Sequence, residues 1–123
     1  MSSAIVYTPD EATVSRTRLA GYLRWLAERG QAPTHDPRDY AALHAWSVAD
    51  ETPFWDTLWD YLGLVGERGT APALDSTRLP GARWFADAQL NYAENLLAPA
   101  RHGRADATAI VALSEARARA TWT

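Results

Sequence analysis

Three histidines and two closely spaced aspartates are the residues from which catalysis or metal binding could be built. His35, His44 and His102 stand far apart, and none has a second histidine at the i+3 or i+4 spacing that sets two ligands on one helical face. They read as surface or capping residues. Asp56 and Asp60 are four apart and share a helix face. A carboxylate dyad needs neighbours that push its two pKa values apart, and the surrounding aromatics supply no such contrast. The pair reads as the solvated edge of an amphipathic helix.

Phosphate and acyl chemistry fare no better. Gly63, Gly66 and Gly69 repeat every third residue, but no lysine follows them and the segment before them has helical rather than strand character. None of the serines (Ser2, Ser3, Ser15, Ser47, Ser76, Ser114) sits between glycines as a nucleophile elbow requires. There is no cysteine and no lysine, so thiolate nucleophiles, disulfides, Cys-based zinc sites and Schiff bases are all excluded. The residues nominate no catalytic, cofactor-binding or metal-binding group in this chain.

Composition narrows the class. With 47% hydrophobic and 22% charged residues in a 123-residue chain, one soluble domain's worth of core is available. The net charge of −3 leaves no basic face for a phosphate backbone, so nucleic acid is set aside as a partner. No stretch approaches the roughly 20 apolar residues of a membrane span, and the N-terminus lacks the basic flank of a signal peptide. A cytoplasmic protein without a membrane partner is expected. The six tryptophans are the outlying feature; they read as packing surface, and as more of it than so short a chain can hide.

The elements that would position these residues are mainly helical. Thr8-Pro9-Asp10-Glu11 has a capping threonine, a proline suited to the first helical turn and a glutamate three residues on. It predicts a helix over about 9–29, carrying Leu19, Tyr22, Leu23 and Leu26 as one stripe and closing at Gly30. Ser15 or Thr17 could restart it as two pieces. Asp36-Pro37 opens a second helix over about 37–48, and Thr52-Pro53 a third over about 53–62 with Gly63 as its stop. Residues 63–80 read as a loop, and Arg83-Trp84-Phe85 as a short extended stretch. Asn91 with Glu94 caps a fourth helix over about 91–98, with Ala93, Leu96 and Leu97 on its buried side. Arg101–Arg104 is a turn. Ala109–Leu113 and Arg119–Trp122 then form a hairpin over about 108–122. Because Thr123 is a helix cap with no helix after it, and a lone hairpin is marginal in water, the chain is expected to lack its next element.

Several stretches resemble one family. Tyr40-Ala41-Ala42-Leu43-His44-Ala45-Trp46-Ser47-Val48, Phe54-Trp55 with Leu58-Trp59, and above all Leu90-Asn91-Tyr92-Ala93-Glu94-Asn95-Leu96-Leu97 are similar to the N-terminal region of acetoacetyl-CoA synthetases, within the adenylate-forming acyl-CoA ligase superfamily. Acetyl-CoA and propionyl-CoA synthetases usually carry a Cys-Leu-Asp-Arg variant in the last stretch, and this chain has no Cys. The terminal Thr121-Trp122-Thr123 resembles the end of the family's hairpin. Trp84 stands where many members have Phe, and the loop from Glu67 to Thr77 is variable.

What the resemblance implies is a mainly α segment with a C-terminal β-hairpin, forming the front of a larger α/β N-terminal domain. It also implies a two-step ligase that uses ATP, Mg²⁺ and CoA with acetoacetate as substrate. The phosphate loop, nucleotide contacts and mobile-domain lysine of that family belong to later sequence. The partner of this segment would be the rest of the same enzyme, its nucleotide-binding body. Two alternatives stay open: the front of another short-chain acyl-CoA synthetase, and a free-standing helical module that binds a protein.

Overall fold

In the computed structural model, residues 6–123 are described. Four helices come first: α1 (Glu11–Ser15), α2 (Arg18–Ala27), α3 (Tyr40–Ala49) and α4 (Glu51–Leu62). A two-residue strand pair, β1 (Gly66–Glu67) with β2 (Gln89–Leu90), brackets a long connector. Helix α5 (Tyr92–Pro99) follows and runs into the expected turn at Ala100–Arg104, where the chain kinks at His102 and Gly103, and β3 (Ile110–Ala112) pairs antiparallel with β4 (Ala120–Trp122).

The expected helix over 9–29 is in fact two helices, because Thr17 serves both. Its hydroxyl donates to the Val14 carbonyl at 2.8 Å, ending α1, and accepts from the Ala20 amide at 3.1 Å, starting α2. The other starts also differ from the proline-based expectation. Asp10, not Thr8, caps α1. Asp39, not Asp36, caps α3, because the Asp36 carboxylate is spent on a turn to the Arg38 amide. Asp50 caps α4, which places Pro53 inside the first turn, where its missing N–H costs nothing. At the other ends Gly30 and Gly63 take positive φ values of 67° and 63°, the conformation that favours glycine after a helix.

The core lies between α2, α3 and α4. Tyr22, Leu23, Leu26 and Leu43 are buried, with Leu19, Trp25, Trp46, Phe54, Leu58 and Tyr61 packed around them. The Tyr22 ring lies 5.1 Å from Tyr61 and 6.4 Å from Phe54 between centroids, the latter edge-on, within the range where aromatic pairs attract beyond their buried area. Helix α2 approaches α4 closely at Gly21, where a Cβ would lie 2.7 Å from the Tyr61 hydroxyl oxygen.

The connector folds back onto α4. Trp59 is buried against Phe85, and Trp55 meets Trp84 edge to face at 5.3 Å. The extended stretch expected at residues 83–85 is present as an antiparallel bridge of Trp84 to Leu74, flanked by hydrogen bonds from the Asp75 amide to the Arg83 carbonyl at 3.1 Å and from the Phe85 amide to the Ala73 carbonyl at 2.9 Å, and it ends as Phe85 turns away at φ 45°. The same loop is fastened at Asp87. Its carboxylate accepts from the Thr70 amide at 2.9 Å and the Ala71 amide at 3.0 Å. These donors, Thr70 first, hold the Asp87 carboxyl below its ordinary value.

Candidate functional site: an outward apolar face

The residues singled out for chemistry are dispersed. His35, His44 and His102 are all exposed, and His44 lies beside the Tyr40 ring one turn earlier on α3. Asp56 is half-buried and ion-paired with Arg68, while Asp60 is exposed. Gly63 ends α4, Gly66 sits in β1, and Gly69 faces the Asp87 carboxylate. Among the described residues no three His, Asp or Glu side chains come together in a group that could hold a metal ion. No helix there is long and apolar enough to cross a membrane.

What the structure concentrates is apolar surface, on α5 and on the hairpin. On α5 the apolar residues face away from the rest of the chain: Tyr92 is 75% exposed, Leu96 62% and Leu97 61%. The half-buried inner side carries Glu94, Asn95 and Ala98. This reverses the expectation that Ala93, Leu96 and Leu97 form a buried side. The helix is amphipathic, but its polar side is the one turned to its own chain.

Polar bonds make that inversion possible. The Asn95 side chain accepts from the Val65 amide and donates to the Val65 carbonyl, both at 2.8 Å, so it behaves as a short piece of strand. Its NH₂ group also donates to the Asn91 carbonyl at 3.0 Å. Asn91 caps the helix through the Glu94 amide at 3.1 Å, whereas the Glu94 carboxylate does not return to the cap and pairs with Arg101 at 2.7 Å. Helix α5 packs on none of α1–α4. Its ties are the β1–β2 pair just before it and Asn95.

The hairpin is more isolated still. Among the described residues neither β3 nor β4 packs on any other helix or strand. Ile110 opposes Trp122 and Val111 opposes Thr121, so successive residues put apolar groups on both faces. Ile110, Val111, Leu113 and Trp122 are all exposed. An apolar run on both faces is the pattern of a strand covered on two sides.

The tryptophans contribute less to this surface than their number implies. Trp59 is buried, and Trp25 and Trp46 are half-buried. Trp55 and Trp84 pack edge to face on each other. The outward face belongs chiefly to Tyr92, Leu96, Leu97 and the hairpin residues. Sequence reasoning found these as apolar positions but not which way they point, and it missed Asn95, a lone polar residue inside an apolar helix.

Comparison with known proteins finds relatives in one group of ligases. Residues 40–96 match the family described as acetyl-coenzyme A synthetase N-terminus. The chain is 35% identical over 118 residues to the acetoacetyl-coenzyme A synthetase of Rhizobium meliloti, covering 95% of this chain and 17% of that protein. A malonamoyl-CoA synthetase of Penicillium aethiopicum is 41% identical over 64 residues, half of this chain. Among solved structures, an acetoacetyl-CoA synthetase from Streptomyces lividans superposes with a TM-score of 0.74 at 31% identity, covering 92% of this chain and 17% of that one. The chain thus spans about a sixth of the length of these acetoacetyl-CoA synthetases, and in both sequence and fold it is similar to the N-terminal segment of acetoacetyl-CoA synthetase-like ligases.

Proposed function

We propose that this segment is scaffold for a cytoplasmic acetoacetyl-CoA synthetase and supplies no reacting group. In the whole enzyme the acetoacetate carboxylate attacks the α-phosphorus of ATP, with Mg²⁺, and pyrophosphate leaves. The CoA thiol then displaces AMP to give acetoacetyl-CoA. The segment's part is to dock on the nucleotide-binding body. The observation that carries this is the outward apolar face of α5 and the two-faced hairpin, on a chain aligned over 95% of its length with a protein about six times longer. The absence of cysteine suits the reducing cytoplasm, and the net charge of −3 suits a protein partner better than nucleic acid.

Two measurements test the reading. The chain incubated with ATP, Mg²⁺, acetoacetate and labelled pyrophosphate is expected to give no exchange above background, and exchange would overturn the scaffold role. A relative such as the Rhizobium meliloti enzyme, deleted of its matching stretch, is expected to regain acetoacetate activation when this chain is supplied. A second reading, that the parent is another short-chain acyl-CoA synthetase, is favoured by the malonamoyl-CoA synthetase match and would be supported if the chain restored a likewise deleted malonamoyl-CoA synthetase better than it restores the acetoacetyl-CoA synthetase. A free-standing binding module is favoured by one observation, the self-contained core of α2–α4. It would require that the chain be a stable monomer with no affinity for the deleted ligase.

A further inference from the structure

We infer that Asn95 is the positioning residue of this docking face: by pinning α5 to Val65 it fixes the angle at which Tyr92, Leu96 and Leu97 meet the remainder of the ligase. The inference rests on the proposed scaffold role. Three observations lead to it.

First, α5 has no packing on α1–α4 to orient it. A helix of 8 residues is too short to hold its own direction by intrinsic stability, so its angle is set by whatever ties it to the chain. Secondly, those ties are few and local. β2 ends one residue before the cap Asn91 and fixes only the entry point. One turn further on, Asn95 adds two opposed hydrogen bonds to a single residue, accepting from the Val65 amide and donating to the Val65 carbonyl. One bond would leave the helix free to swing about it, whereas two antiparallel bonds to the same residue define an orientation, as they do between paired strands.

Thirdly, the amphipathic pattern is inverted around this residue. Asn95 lies on the inner side, and the next two residues, Leu96 and Leu97, are each more than half exposed. A helix that uses its polar side for its own chain leaves its apolar side for another surface. That surface is assigned to the remainder of an acetoacetyl-CoA synthetase-like ligase, because the family match runs to Leu96 and this chain accounts for only 17% of its relatives. A helix laid into a groove binds through such i, i+4 anchors as Tyr92 and Leu96, and a change of helix angle displaces them together.

The test exploits the absence of cysteine. Spin labels placed through E28C on the end of α2 and A93C on α5 report the distance between core and helix. In the otherwise unchanged chain a narrow distance distribution is expected, and N95A should broaden it while the near-UV circular dichroism of the α2–α4 aromatics stays the same. N95D, which can accept from the Val65 amide but not donate to its carbonyl, should fall between them.

The second arm co-expresses the unlabelled chain with tagged Rhizobium meliloti acetoacetyl-CoA synthetase lacking the matching stretch, and measures the chain retained. N95A is expected to lower retention about tenfold, the order set by losing two modest hydrogen bonds, and L96E with L97E should abolish it. A distribution that stays narrow in N95A overturns the inference. So does a broadened one with undiminished retention, or retention that survives L96E with L97E; in these cases the scaffold role still stands. If the unaltered chain is not retained at all, the scaffold role itself fails.

Discussion

The Tyr22 hydroxyl lies 2.7 Å from that of Thr57, across the interface of α2 and α4. The Thr57 proton is already engaged by the Pro53 carbonyl at 2.7 Å, so Tyr22 is the donor in this pair. Burial raises the Tyr22 pKa, against the opposing effect of the Thr57 bond. The two substitutions are therefore unequal. Y22F leaves Thr57 with its partner and should cost about 1 kcal/mol. T57A leaves the buried Tyr22 hydroxyl only the Phe54 carbonyl at 3.4 Å and should cost about 1–3 kcal/mol. Urea unfolding of both single variants and the double checks this, with a coupling of about 0.5–1.5 kcal/mol expected.

Leu26 has no exposed surface and sits in the same core. L26A should destabilise the chain by about 2–5 kcal/mol, a large part of the whole stability of a small domain. A loss under about 1 kcal/mol in a denaturant titration would mean that α2 does not anchor the core as described.

Replacing Leu96 and Leu97 by Gln should behave oppositely. Both are more than half exposed, so each change should alter the stability of the isolated chain by no more than about 0.5 kcal/mol. Core-sized losses in the same titration would place these residues inward after all.

The Asp87 loop fastening carries a pH signature. Its carboxyl is held below the ordinary value of 3.8 by the amides of Thr70 and Ala71. Stability gained from a depressed carboxyl is fully present above the unfolded value and is lost as pH falls through the folded one. The difference in melting temperature between the unaltered chain and D87N should thus be constant above about pH 5 and shrink below about pH 4. G69A, at φ 76° with its Cβ driven into that carboxylate, should cost about 1–3 kcal/mol from strain alone.

Which parts of the fold could be read from the residues follows from how local their causes are. The stripe Leu19, Tyr22, Leu23, Leu26 and the glycine stops at Gly30 and Gly63 are set within one helical turn. Asn91 as a cap is equally local. The helix starts expected at Thr8 and Asp36 lie instead at Asp10 and Asp39, because a Pro fits several places near a first turn and because the Arg38 amide recruits Asp36 to a turn before α3 begins. The strands β1 and β2 are two residues each, too short to show a period. The outward direction of Leu96 and Leu97 could not be read at all: periodicity gives which side of a helix is apolar, and only the Asn95–Val65 bonds decide which side faces home.

The core of α2, α3 and α4 closes among residues 19–61, well before α5 is reached. In a ligase made from its N-terminus at about 5–20 residues per second, that core would be complete while several hundred residues remained to be translated. The ridge of Tyr92, Leu96 and Leu97 and the two-faced hairpin would then wait uncovered for on the order of tens of seconds. During that interval they are the surfaces a chaperone would meet first.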